Sequence, residues 1–337
     1  MKRDLFVLSL PFREPFVTAT GVISERWIVL LRLEDEDGAV GWGEAAPFEP
    51  YDGVSVERVE AVLRGRSREE LRQAEAAVEM ALLDLDARRE ERPIGEPGAI
   101  AIPVNLTLPA GPAEEVAARA KEGVRAGYQC FKLKVGRPDD EERVAAVRDA
   151  IGSWPALRLD ANGIWSVDEA IEHIRALEPN DVELVEQPCA TLPELADVRR
   201  QVSTPIAADE SITGPDDVRA AAAAGACDAV NVKLASCGGV ERARAAIRTA
   251  GESGIAAYLS STFDGPWGIS AALQLAAGET FQLACGLATL ELFDSPLAQL
   301  LKPARGGLMP VPQGPGLGVE IDEEMLTTSR VPARAPD

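Results

Sequence analysis

Cys130-Phe131-Lys132-Leu133-Lys134-Val135 is a short apolar run that carries two lysines at alternate positions. Side chains two apart on a strand share a face, so both lysines point the same way. Four later segments share the pattern of an apolar run closing on a charged residue. They are 157–160 ending in Asp160, 182–186 in Glu186, 206–209 in Asp209 and 229–233 in Lys233. Steps from Lys134 to these residues are 26, 26, 23 and 24 positions. A period in the mid-twenties is one strand–helix unit, and about eight such units close a (β/α) barrel. Segments 102–107, 256–260 and 282–285 supply the remaining strand candidates. Ala-rich amphipathic stretches such as 114–125, 140–150 and 240–252 lie between them and read as helices. An open doubly wound sheet would place a Gly-rich phosphate loop after its first strand. Residues 106–112 contain none. The expected fold class is therefore α/β, a modified TIM (β/α) barrel, over residues 99–305.

Residues 1–98 follow another grammar. Segments 5–10, 27–33 and 39–44 read as strands, with Asp35-Glu36-Asp37-Gly38 as a hairpin turn. Segments 54–64 and 68–89 read as helices, the second with an apolar stripe at Leu71, Ala74, Val78, Leu82 and Leu85. The charged, Pro- and Gly-containing stretch 90–98 marks a boundary. An α+β domain thus precedes the barrel. Gly41-Trp42-Gly43 is followed by Glu44 and not by a phosphate loop, so it carries little nucleotide signal.

Composition narrows the function. The 337 residues are 46% hydrophobic and carry a net charge of −21. That surface repels phosphate backbones and anionic lipids, so nucleic acid and membrane are not expected partners. The longest apolar runs, such as 27–31, are too short to span a bilayer. The start, Met1-Lys2-Arg3-Asp4-Leu5-Phe6-Val7, reads as a strand and not as a signal peptide. Cys130, Cys189, Cys227, Cys237 and Cys285 are odd in number and show no CxxC spacing. They read as small buried hydrophobes in a reducing cytoplasm. The lone His173 lies in a charged helix and reads as a surface residue.

Lysine usage is more telling. Only six lysines occur, at 2, 121, 132, 134, 233 and 302, and arginine supplies the other cations. Three of those six sit in apolar strands, at Lys132, Lys134 and Lys233. Arginine cannot give up its proton in a protein, whereas lysine can. Lysine kept where arginine is otherwise preferred points to proton transfer. Asp160, Glu186 and Asp209 end their strands at the C-terminal rim, where barrel enzymes keep their sites. One such acid alone would read as a helix N-cap. Three at equivalent positions, flanked by lysine strands, would repel one another without a cation. Hard oxygen ligands without Cys or His select Mg²⁺, with Mn²⁺ able to stand in. The expected chemistry is proton transfer by lysine beside a divalent metal.

The chain resembles the enolase superfamily, within its muconate-lactonizing subgroup. The residues that carry the resemblance are Gly41-Trp42-Gly43-Glu44-Ala45, Phe131-Lys132-Leu133-Lys134-Val135-Gly136 and Leu159-Asp160-Ala161-Asn162-Gly163-Ile164-Trp165. With them stand Val185-Glu186-Gln187-Pro188, Ala208-Asp209-Glu210-Ser211 and Asn231-Val232-Lys233-Leu234-Ala235-Ser236-Cys237-Gly238-Gly239. The tail Pro315-Gly316-Leu317-Gly318-Val319-Glu320 looks like the family's return to the first domain. The resemblance implies that 1–98, joined by 306–337, caps the barrel and closes its pocket. It implies a small-molecule carboxylate substrate, held on a metal by Asp160, Glu186 and Asp209. Lys134 is the implied base and acid, Lys132 the neighbouring charge that tunes it, and Lys233 an electrostatic group on the opposite face. Arg158, Asn162, Ser260, Ser261 and Gly286 are the expected substrate contacts. Within the subgroup the chain looks most like the hydro-lyases of menaquinone biosynthesis, which dehydrate a hydroxycyclohexadiene carboxylate bearing a succinyl chain. Racemases or epimerases of the subgroup, using Lys134 and Lys233 as two bases, are the alternative. A cycloisomerase or a catalytically silent metal-binding barrel are further ones. Relatives place a Glu and small residues after the two serines, and this chain departs with Thr262-Phe263-Asp264-Gly265-Pro266-Trp267-Gly268. Oligomeric state does not follow from the sequence.

Overall fold

The structure is a computed structural model that describes residues 1–18 and 21–331. Residues 332–337 of the expected return segment lie outside the described residues.

Three antiparallel strands open the chain: β1 (Lys2–Thr18), β2 (Gly21–Glu34) and β3 (Val40–Ala45). The first two are longer than their apolar cores suggested. Their pairing runs from Lys2↔Glu34 to Thr18↔Gly21, with a register shift between Pro11 and Phe16. The turn forms where expected, closed by Asp35 Oδ1, which accepts from the Asp37 and Ala39 amides. Helices α1 (Glu49–Asp52), α2 (Val56–Leu63) and α3 (Arg72–Arg89) follow.

The expected stripe on α3 is only partly its buried face. Leu82 is 38% exposed, while Ala74, Ala77, Ala81 and Leu85 are buried. The reason lies on β3. A Cβ on Gly41 would sit 2.1 Å from the Ala81 carbonyl oxygen, and one on Gly43 would sit 1.9 Å from that of Ala77. Helix and strand meet backbone to backbone, so Ala77 and Ala81 face the contact with Leu85 beside them, and Leu82 turns out. Gly-x-Gly here is a packing device. Gly43→Ala is therefore expected to cost about 3 kcal/mol or more by overpacking. A urea midpoint equal to that of the wild type would show that the helix does not press on this strand.

The barrel runs through β4 (Ala101–Pro103), β5 (Leu106–Leu108), α4 (Ala113–Arg125), β6 (Cys130–Lys134), α5 (Asp140–Ile151) and β7 (Ala156–Asp160). It continues with α6 (Val167–Leu177), β8 (Val182–Glu186), α7 (Leu192–Arg199), β9 (Ile206–Ala208), α8 (Pro215–Ala224) and β10 (Ala229–Val232). Then come α9 (Leu234–Cys237), α10 (Val240–Glu252), β11 (Ala256–Leu259) and α11 (Pro266–Ala277). Strands β5 to β11 form one parallel sheet in chain order. Two strand expectations change. Segment 102–107 divides into β4 and β5, and 282–285 forms no continuous strand. Isolated parallel bridges Val104↔Cys285 and Ser260↔Gly286 instead close the ring between β11 and the start of β5. The eighth position is thus a short bridge, which makes the barrel a modified one.

Strand β12 (Leu308–Pro310) pairs with β4, and α12 (Glu323–Thr328) follows. The chain then lies along the first sheet, where the Ser9 amide donates to the Ser329 carbonyl and the Val331 amide to that of Val7. Among the described residues no helix is long and apolar enough to cross a membrane. All five cysteines are free and buried. His173 is exposed beside Trp165, their ring centroids 5.0 Å apart.

Candidate active site

Register builds the site. Lys134 pairs with Asp160 across β6 and β7, and Asp160 with Glu186 across β7 and β8. Asp209 and Lys233 directly follow β9 and β10. Strands β6 and β10 are four places apart in the sheet order, so Lys134 and Lys233 stand on opposite walls of an eight-place ring.

Side chains converge as the parity argument requires. Lys134 Nζ donates to Asp160 Oδ2 at 2.6 Å and to Asn162 Oδ1 at 2.9 Å. Lys132 Nζ lies 2.9 Å from the same Asp160 oxygen and donates to Glu186 Oε1 at 3.0 Å. Two ammonium groups therefore share one carboxylate oxygen. On the far wall, Lys233 Nζ donates to both Asp209 oxygens and, at 2.8 Å, to Tyr51 Oη. It also stands 4.2 Å from the centroid of the Tyr51 ring.

Burial and charge compete in this cluster. Burial opposes the charge of Asp160, but Lys132 and Lys134 outweigh it and hold its carboxyl well below the ordinary range. Burial, and then the nearby acids, raise Glu186 despite Lys132. Burial also raises Asp209 and Glu210. Burial disfavours the Lys132 and Lys233 ammonium groups, yet the surrounding carboxylates prevail and raise both.

Among the described residues no ready-made cluster of three acidic, histidine or cysteine ligands is drawn together. The reason is geometric, since the Lys132 ammonium bridges Asp160 and Glu186 and Lys233 is clamped on Asp209. The donor set still fits a hard divalent cation. Asp160, Glu186, Asp209 and Glu210 face three lysines, which leaves one negative charge in excess. Glu210 Oε2 is buried and accepts no hydrogen bond from the described residues.

A cavity of about 290 Å³ opens over this cluster. Lys132, Lys134, Asp160, Asp209 and Lys233 line it, together with Asn162, Ser260, Ser261 and Gly286. Glu186 lies just beneath, fully buried. Arg158 is the correction. Its guanidinium is engaged by Glu183 and the Ala284 carbonyl and stacks 5.0 Å from the Tyr258 ring, so it faces the barrel interior and does not line the cavity. Parity put it on the right face of β7, but one pleat too deep.

Several residues were missed. Asn231 Nδ2 and Tyr258 Oη donate to Glu186 at 3.1 and 2.7 Å. Gln187 Oε1 accepts from the Asp209 amide at 2.8 Å and ties the second acid to the third. Asn231 precedes Lys233 by two, so parity alone could have found it. Tyr51 reaches in from α1 of the first domain, and no spacing could have found it.

Fold and site define a barrel with three buried lysines beside a carboxylate cluster suited to a divalent metal, usually Mg²⁺. The family profile described as "Enolase C-terminal domain-like" matches residues 115–325, and the chain belongs to the enolase superfamily. It is 38% identical to the o-succinylbenzoate synthase of Thermobifida fusca (strain YX) over 300 residues, covering 86% of this chain and 82% of that one. The 2-chloromuconate cycloisomerase of Rhodococcus opacus 1CP superposes with a TM-score of 0.92 at 30% identity, covering 98% and 99%. The dipeptide epimerase of Enterococcus faecalis V583, complexed with Mg and L-Leu-L-Tyr, superposes at 0.88 with 26% identity, covering 95% and 99%. The chain is accordingly an enzyme of lyase or isomerase kind.

Proposed function

We propose that this enzyme catalyses the o-succinylbenzoate synthase reaction, the syn-dehydration of a hydroxycyclohexadiene carboxylate bearing a succinyl chain, in the cytoplasmic synthesis of menaquinone. The observation that carries the reading is the unequal setting of the two facing lysines. Lys233 is bonded to the Tyr51 hydroxyl and seated over the Tyr51 ring. Such a setting suits a fixed cation that never accepts a proton. Among the described residues Lys134 has no aromatic seat, and it bonds one shared carboxylate oxygen and the neutral Asn162 amide. One base is what a syn-dehydration needs. Likeness to the Thermobifida fusca synthase supports the same reading.

The steps follow. Asp160, Glu186 and Asp209 would hold Mg²⁺, which supplies Lewis acidity at the substrate carboxylate. Lys134 takes the proton from the carbon beside that carboxylate. It then gives the proton to the hydroxyl leaving from the same face, and water departs as the ring becomes aromatic. Lys132 keeps a positive charge beside Lys134 throughout. Asn162 orients the Lys134 ammonium. Lys233 stabilises the negative charge that develops on the substrate. Ser260, Ser261 and the Gly286 backbone border the remainder of the ligand.

Opposed lysines also suit a two-base epimerase, and the likeness to the Enterococcus faecalis epimerase favours that second reading. The loop Gly286-Leu287-Ala288-Thr289-Leu290 offers no acid to receive a substrate ammonium, which argues against a dipeptide substrate. Incubation with the cyclohexadiene acid and Mg²⁺ is expected to give the aromatic product. Excess chelator should abolish turnover, and Mg²⁺ or Mn²⁺ should restore it. Absence of aromatic product would sink the synthase reading, and full turnover in chelator would sink the metal assignment.

A further inference from the structure

Phe263 follows the two serines and Thr262. Its φ is +60°, in the left-handed region that bulky side chains rarely adopt. Such strain persists only where the surroundings impose it, and it concentrates at functional sites.

Two fastenings impose it, both from the first domain. On one side stands the buried Arg26 of β2. Its Nε donates to the Thr262 carbonyl at 3.2 Å, and its Nη1 to the Pro47 carbonyl at 2.8 Å. The guanidinium also sits 4.5 Å from the centroid of Phe48. On the other side stands Glu44, the last residue of the Gly-x-Gly-Glu run. Its carboxylate accepts from the Gly265 amide at 2.6 Å and the Gly268 amide at 3.2 Å, capping α11 across the domain boundary. A Cβ on Gly265 would lie 2.7 Å from Glu44 Oε2, so this approach requires glycine there. Asp264 closes the loop between them, accepting from the Thr262 amide and hydroxyl at 3.0 and 2.9 Å. Burial, and then Asp264, push the Glu44 carboxyl up to about 8, while the Gly265 and Gly268 amides and Arg26 pull the other way.

The ring packs against Phe16, Phe12 and Phe48, with centroids 5.2, 5.4 and 6.1 Å away. Phe263 is nevertheless only half-buried, and it lines the cavity with Phe48, Ile23 and Pro50. This wall carries no charge. Every charged side chain that lines the cavity belongs to the lysine and carboxylate cluster.

We propose that Phe263 is a specificity-determining residue whose ring forms the apolar wall for the uncharged carbon skeleton of the substrate beyond the reacting carboxylate, with Arg26 and Glu44 as positioning residues. The wall selects an uncharged ring or hydrocarbon segment and disfavours a charged end placed there without a partner. Its identification with the succinyl-cyclohexadiene skeleton rests on the synthase reading above.

The test uses Phe263→Gly, since glycine accepts the same φ while the ring is lost. KM for the cyclohexadiene acid is expected to rise about tenfold or more, with kcat within about threefold. Phe263→Leu should recover part of the loss. Glu44→Gln should raise KM in the same sense. In parallel, calorimetry with the aromatic product and Mg²⁺ should show affinity falling about tenfold in Phe263→Gly. Weaker product binding in the variant, without dehydration by the wild type, would uphold the wall and reject the synthase reading. Unchanged KM and affinity, or a loss confined to kcat, would overturn the wall. A wild type that binds no product would overturn both.

Discussion

Lys134→Ala is expected to lower kcat for dehydration by about four orders of magnitude, at the upper end of what a positioned acid–base group contributes. In the proposed dehydration the same amine removes the proton and delivers it to the departing hydroxyl, so no half of that reaction survives its loss. The site offers no deputy. Lys132 spends its ammonium on Glu186 and Asp160, and Lys233 stands on the opposite wall. His173, the only histidine, lies on the surface. Lys134→Arg should be nearly as poor, because a guanidinium keeps its proton. The measurement is the rate of conversion of diene to aromatic acid, with product binding as the check that the pocket is intact. Near-normal turnover in either variant would remove Lys134 from the role of base.

Lys233→Ala should cost on the order of 3 kcal/mol of transition-state stabilisation, as other electrostatic donors do when deleted. Removing it also takes the ammonium from Asp209, which keeps the Tyr51 hydroxyl at 3.2 Å, and from the Tyr51 ring. Lys233→Arg should keep part of the charge, though its planar head fits the Tyr51 ring and Asp209 differently. What separates the two readings is proton traffic. In a one-base dehydratase, Lys233 exchanges no proton with ligand. In a two-base racemase, each lysine serves one enantiomer, so each single variant still washes one α-hydrogen into solvent. Deuterium incorporation into both enantiomers of an N-succinyl amino acid would be measured beside dehydration of the cyclohexadiene acid. Fast exchange of both without dehydration would reverse the assignment in favour of the racemase. Dehydration with negligible exchange leaves Lys134 as the only base.

Much of the catalytic cluster was legible because it is written with strand periodicity. Alternation inside β6 and β7 set the faces of Lys132, Lys134 and Asp160, and the mid-twenties repeat put five charged residues on one rim. Neither signal depends on a distant contact. The same alternation gives Arg158 the face of Asp160, but the face of a strand says nothing of depth along the barrel, so the expected substrate contact did not follow. Depth was decided by Glu183 and the Ala284 carbonyl, which hold that guanidinium below the cavity. The stripe on α3 failed for a related reason. Periodicity assumes a side-chain contact, and Gly41 and Gly43 bring two backbones together instead.

By itself, then, the sequence determined the repeating strand–helix units, the acids and lysines at their ends and the apparent class of chemistry. Each of those follows from residues within one strand or one repeat. Tertiary structure alone decided what the first domain contributes. Tyr51 meets Lys233 across 182 positions, Glu44 caps α11 across 221, and Arg26 reaches Thr262 across 236. No local pattern couples residues so far apart. Their meeting is set by how one domain packs on the rim of the other, and that packing supplies the wall and clamp of a pocket whose charges were already readable in the chain.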